Sequence, residues 1–163
     1  MILNIGTTTE AVARELLGHR NITVVTNNMN VANILVANPS CEVMVAGGQL
    51  RRSDGGLVGD LTIQFIEQFK VDFAVIGTSA LDPDGDLLDF DLAEVRVSKA
   101  ILRQSRQRFL VTDGSKLGRK APVRIGSLKE LDAVFTDTPL PEDLARRCDG
   151  WGTAVTVAGQ MAD

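Results

Sequence analysis

Gly6, Thr7, Thr8 and Thr9 stand between a short apolar run, Leu3 to Ile5, and an amphipathic stretch from Glu10 to Leu17. A glycine followed by threonines at a strand-to-helix turn offers backbone N–H groups and hydroxyls at the positive end of a helix dipole. That chemistry suits a phosphate. Thr7 and Glu10 also have capping-box spacing, so the Thr7 hydroxyl is expected on an orphan N–H and the Glu10 carboxylate is expected to reach back. An ordinary capped helix would account for this turn alone; other polar turns shift the balance. Asn27 and Asn28 follow a β-branched run, where one suits a helix N-cap and Asn27 suits a ligand hydroxyl. Gly47 and Gly48 open a glycine-rich, charged segment that ends at Gly59. Its backbone could approach a ligand closely, although a flexible surface loop has the same composition. Asp113-Gly114-Ser115-Lys116 puts a lysine after a strand end, a point charge suited to phosphate. Glu94 lies among Arg96 and Lys99, either on a solvated helix face or as an acceptor for ligand hydroxyls.

The elements that must position these residues alternate. Strands are expected at 22–25, 42–46, 71–76, 109–111, 132–137 and near 153–157. Helical apolar faces are formed by Val12, Ala13, Leu16 and Leu17, by Val31, Ile34 and Leu35, by Leu61, Phe65 and Phe69, and by Ala93, Val97, Ala100 and Ile101. A short helix is expected at 141–147, and Asp82-Pro83-Asp84-Gly85 is a turn. This order predicts one α/β domain over residues 1–163, Rossmann-like with a mostly parallel sheet. Ligands of such sheets sit beyond the carboxyl ends of the strands. The turns at Gly6, Asn27, Gly47, Gly77 and Asp113 would share that edge and form a site for a small anion. There is no GxGxxG fingerprint and no P-loop, so no nucleotide or other cofactor is expected.

Composition narrows the class. The chain has 163 residues, 44% hydrophobic and 23% charged, the make-up of a soluble globular domain. A formal charge of -4 argues against these residues binding nucleic acid electrostatically. No apolar run approaches the roughly 20 residues of a membrane span, and no signal peptide opens the chain. Cys41 and Cys148 are far apart without a CxxC, which suits a reduced, cytoplasmic protein. His19, the only histidine, lies in a polar Gly-His-Arg-Asn turn, which supports neither a zinc site nor a catalytic triad. Because the chain opens directly on an apolar strand, it is expected to be a piece of a longer protein.

Several motifs in order resemble the carboxy-terminal effector-binding domain of DeoR-family bacterial transcriptional regulators. They are I-G-T-T-T (Ile5 to Thr9), T-N-N (Thr26 to Asn28), A-G-G-Q-L-R (Ala46 to Arg51), D-G-G-L-V-G (Asp54 to Gly59), E-V-R-V-S-K (Glu94 to Lys99) and D-G-S-K (Asp113 to Lys116). The resemblance covers nearly the whole chain. It implies a fold similar to ribose-5-phosphate isomerase and glucosamine-6-phosphate deaminase. It also implies a homo-oligomer that meets operator DNA only through an amino-terminal winged helix-turn-helix absent from these residues. The family's usual D-S-G-T-T is here Asn4-Ile5-Gly6-Thr7-Thr8. T-N-N-M-N-V-A-N (Thr26 to Asn33) and L-L-D-F-D (Leu87 to Asp91) are similar to members that answer to glycerol 3-phosphate. The implied ligand is therefore glycerol 3-phosphate or a similar phosphorylated small molecule. Gly6, Thr7, Thr8 and Lys116 would hold the phosphate, Gly47 and Gly48 would line the pocket, and Asn27, Asp113 and Glu94 would meet the hydroxyls.

Two other functions compete. A sugar-phosphate isomerase needs a positioned carboxylate base. The isomerase pattern D-G-A-D-E after the fourth strand is here Ile76-Gly77-Thr78-Ser79-Ala80, which leaves Glu94 without the acids of that motif. An assembly module with a vestigial pocket would keep the fold and lose the ligand.

Overall fold

The computed structural model of the chain describes residues 1–159. Its centre is a sheet of seven strands: β1 (Ile2–Leu3), β2 (Ile22–Thr26), β3 (Cys41–Val45), β6 (Val71–Ile76), β9 (Ser105–Thr112), β11 (Ala133–Thr136) and β12 (Ala154–Val157). The spatial order is β12-β11-β9-β6-β1-β2-β3, and every pairing is parallel. Val, Ile and Leu dominate the central strands because a parallel sheet is covered on both faces. From β1 the chain steps outward to β2 and β3, then returns to β6 on the other side of β1. The strand order therefore reverses between β1 and β6.

Crossovers of a single hand place the helices of the two halves on opposite faces. On one face, Ala13 and Leu16 from helix α1 (Thr7–Glu15) and the turn after it pack with Val31 and Leu35 of α2 (Met29–Leu35) on Leu3, Val24 and Val75. On the other face, α3 (Asp60–Ile66), α4 (Leu92–Arg103) and α5 (Glu142–Trp151) bring Ile66, Val97, Ile101, Leu144 and Cys148 onto Ile2, Ile76, Leu110 and Val134.

Some expectations need correction. The apolar face of α1 stops at Leu16, because the chain tightens into a 3-10 turn there and Leu17 remains 41% exposed. Helix α3 turns Thr62 and Ile66 inward and leaves Leu61 67% exposed. The Thr62 hydroxyl donates to the Gly47 carbonyl at 2.6 Å, which orients this short helix. The segment from Gly47 to Gly59 is not a loose loop. It folds back as an antiparallel hairpin of β4 (Gln49–Leu50) and β5 (Leu57–Val58), with Leu57 and Val58 buried. A second sheet of β7 (Ala80–Leu81), β8 (Asp86–Asp89) and β10 (Val123–Ser127) is antiparallel and was not foreseen. The Asp82–Gly85 turn joins β7 to β8, and the Asp82 carboxylate accepts from the Asp84 and Asp86 N–H groups, each at 3.0 Å.

Candidate functional site

At the end of β1 the chain must leave the sheet and start α1 within three residues. Gly6 makes this possible at φ 133°, ψ 148°, a conformation that side chains resist. The capping box does not form. Gly6 itself occupies the N-cap, α1 has no side-chain cap, and Thr7 is already helical. Glu10 turns sideways instead and accepts from the Asn30 amide at 3.0 Å and the Asn28 amide at 3.4 Å. The leading N–H groups of α1 therefore lack acceptors within the helix or from a cap. Thr9, on the same turn, is 0% exposed, and its hydroxyl has no hydrogen-bond partner among the described residues. A buried polar group left this way costs on the order of 1–3 kcal/mol.

The end of β6 supplies the adjoining wall. Gly77 lies so close to the first turn that a Cβ there would sit 3.4 Å from the Ile5 carbonyl oxygen. The Thr78 hydroxyl is tied to the Ala80 and Leu88 carbonyls at 2.8 and 3.0 Å. Beyond β9, Lys116 ends a 3-10 turn, Gly114–Lys116, which Asp113 caps by accepting from the Ser115 N–H at 2.8 Å. The hydrogen bond from the Ser115 hydroxyl is the largest of the influences that hold the Asp113 carboxyl below its ordinary pKa.

The third wall joins the β4–β5 hairpin to the start of α4. Arg51 donates to Glu94 and lies 3.5 Å from Asp91 and 3.6 Å from Asp54. Asp91 caps α4 through the Glu94 N–H. Asp89 is buried at the end of β8 and accepts from the Phe90 N–H at 2.7 Å. The Glu94 side chain is 14% exposed. Burial is the main cause that raises its carboxyl; the Asp89 charge adds to it, Arg51 opposes it, and the pKa reaches about 7.

This shift makes stability depend on pH. The folded protein holds the Glu94 proton more tightly than the unfolded chain does. The contribution is therefore complete below pH 4.5 and lost as pH rises through about 7. At about 1.4 kcal/mol per pKa unit, the loss is on the order of 3 kcal/mol. Glu94→Gln should remove this decline, as read from urea midpoints across the window. Wild-type and variant midpoints that run parallel with pH would show that Glu94 stays ionised throughout.

The three walls enclose a cleft of about 410 Å³ at the carboxyl edge of the parallel sheet. It lies at the point of strand-order reversal, where ligands of open α/β sheets sit. Gly6, Thr7, Thr8, Glu94 and Lys116 all line it. Asn27, Gly47, Gly48 and Asp113 do not. Asn27 is fully buried and fastens the hairpin, its side-chain amide donating to the Leu57 carbonyl at 3.2 Å while its backbone carbonyl accepts the Leu57 N–H at 2.7 Å. Gly47 and Gly48 pack against Thr62, and Asp113 shapes the turn that carries Lys116. Asn28 caps α2, as its spacing suggests. Thr9, in the first turn of α1, lines the cleft too, as do Asn30, Arg51, Asp54 and Asp89, which were not singled out from sequence. The acids of the isomerase motif are absent at Ile76, Ser79 and Ala80, but Glu94 has other acidic neighbours. Asp89 comes from β8 and Asp54 from the hairpin, Asp91 caps the helix that carries Glu94, and Arg51 engages Glu94 directly.

Fold and cleft together define a domain of the doubly wound α/β class with a polar cleft at the point of strand-order reversal. Residues 1–138 match the family described as the DeoR C terminal sensor domain, and the chain belongs to that family. It is a sensor domain, not an enzyme. It is 50% identical over 141 residues to the glycerol-3-phosphate regulon repressor of Escherichia coli (strain K12), a match that covers 86% of this chain and 56% of the relative. Against the HTH-type transcriptional repressor CsqR of the same organism, identity is 40%, covering 90% of this chain and 56% of the relative. The chain thus spans little more than half the length of these relatives. Among solved structures, eIF2B beta from Chaetomium thermophilum shares the fold at TM-score 0.50 and 12% identity, covering 82% of this chain and 42% of that one. No helix among the described residues is long and apolar enough to cross a membrane.

Proposed function

We propose that the chain senses glycerol 3-phosphate or a similar phosphorylated polyol for a cytoplasmic transcriptional repressor, and that binding relieves repression of glycerol catabolism genes. The observation that carries this reading is the uncapped start of α1 with the partnerless Thr9 hydroxyl, opening on the same cleft as Lys116. The phosphate meets the leading N–H groups of α1, the threonine hydroxyls and the Lys116 ammonium. The polyol hydroxyls face Glu94 and Asp89, which accept hydrogen bonds. Contact with operator DNA belongs to a segment outside these residues, in a homo-oligomer. The ligand must favour one arrangement of that oligomer over another, since equal affinity for both shifts nothing. Arg51 couples the hairpin to α4 across the cleft, so the hairpin is the element placed to respond. Calorimetric titration with glycerol 3-phosphate, glycerol and inorganic phosphate in parallel tests the reading. Glycerol 3-phosphate should bind most tightly, phosphate weakly and glycerol least. Equal heats and affinities for glycerol and glycerol 3-phosphate would count decisively against it.

A further inference from the structure

The cleft is unevenly charged for a site that takes an anion. Two cations line it, Arg51 and Lys116, beside four carboxyl side chains, Glu10, Asp54, Asp89 and Glu94. The two cations differ in what surrounds them. Lys116 shares the carboxyl edge of the sheet with the first turn of α1, whose leading N–H groups add positive potential. Arg51 is engaged by Glu94, Asp91 and Asp54 at once. The cleft thus has the means to hold one phosphate and no uncommitted guanidinium for a second anionic group.

From this we infer that the wall formed by Glu94, Asp89 and Asp54 selects by charge: the cleft accepts phosphorylated ligands that end in hydroxyls and rejects phosphorylated acids. A hydroxyl there donates to a carboxylate and leaves the Arg51 pairs intact. A carboxylate brings like charge against Glu94 and Asp89, and it must compete with three existing partners for Arg51. Juxtaposed like charges of this kind are a strong device for excluding wrong ligands. The inference rests on the phosphate placement proposed above, and it assigns Glu94 and Asp89 the discrimination.

Glycerol 3-phosphate and 3-phosphoglycerate make the comparison, because both are phosphate monoesters on three carbons and differ in the carboxylate. In calorimetry, 3-phosphoglycerate should bind at least about tenfold more weakly than glycerol 3-phosphate. Glu94→Gln should narrow that gap at least about threefold, since one of the opposing charges is gone. Lys116→Ala should weaken both ligands alike and leave their ratio unchanged. In the unaltered protein, lowering the solution from about pH 8 to about pH 6 should narrow the gap too, as Glu94 takes a proton among Arg51, Asp54, Asp89 and Asp91. The carboxylate of the acid stays ionised throughout, and the two phosphates titrate in parallel. If 3-phosphoglycerate binds as tightly as glycerol 3-phosphate, the selectivity is overturned while the phosphate site stands. If glycerol 3-phosphate, 3-phosphoglycerate and inorganic phosphate all fail to bind, the phosphate placement falls and this selectivity falls with it.

Discussion

Lys116→Ala is expected to lower affinity for glycerol 3-phosphate by one to two orders of magnitude and to leave the fold almost untouched. A hydrogen bond to a charged group is worth about 1.5–3 kcal/mol, and each 1.4 kcal/mol is about tenfold in affinity. The lysine is half-buried on the cleft wall, and its turn is shaped by the Asp113 cap, which the substitution leaves in place. Stability should therefore change by no more than about 0.5 kcal/mol. In the full-length repressor, the variant should still repress and should resist induction. Thr7→Ala should be milder than Lys116→Ala, because Thr7 caps nothing and the backbone N–H groups remain. A destabilised Lys116→Ala protein with intact affinity would assign the lysine to the architecture of the turn and take the phosphate's main cation away.

Gly48→Ala should be the most damaging small substitution in the hairpin. Gly48 has φ 133°, and a Cβ would fall 2.1 Å from the Thr62 hydroxyl and 2.7 Å from the Val58 carbonyl oxygen. The hydroxyl has little freedom to withdraw, because it is bonded to the Gly47 carbonyl. Strain in a sparsely populated backbone region and overpacking cost about 1–3 kcal/mol each, so the loss should be roughly 3 kcal/mol or more. Urea unfolding measures it directly. Gly47→Ala is the control: nothing lies within 4 Å of its added Cβ, and its midpoint should barely move. If the two alanine variants unfold alike, the close packing of hairpin on α3 does not contribute as described. Ligand affinity should also fall in Gly48→Ala, because the same hairpin holds Arg51.

How much of this was legible in the sequence depended on periodicity. The strand Val71–Ile76 is read to the residue, because six apolar-rich positions lie between polar turns. The parallel architecture, the first turn and Lys116 follow from alternation and from glycine, threonine and lysine at strand ends. The acidic wall was hidden for a physical reason. Besides Glu94 on α4, it is carried by Asp89 at the end of β8, a strand of four residues, and by Asp54 in a hairpin whose strands are two residues each. Strands that short show no repeat to detect. Arg51 and Asp54 looked like loop charges, and Glu94 like part of a solvated helix face, until the hairpin was folded against α4. The capping box failed for a different reason. Its spacing is correct, but Gly6 takes the cap position one residue early, and Asn30 offers Glu10 a partner across the helix pair.

The two-residue strand β1 has a consequence for how the site comes into being. Ile2 pairs with Val25 on one side and Ala74 on the other, so the middle of the sheet is closed by contacts between the chain's first residues and its midpoint. Pairing of such distant segments in parallel slows folding, because loop-closure entropy is lost before the contacts form. The Gly6 turn meets its Gly77 neighbour only when β6 docks. During synthesis, the nascent β1–β3 half would hold an open sheet edge and no cleft. The cleft is complete only when the first turn, the end of β6, the hairpin and the Lys116 turn are brought together, so a metabolite that binds there favours chains in which all four are assembled.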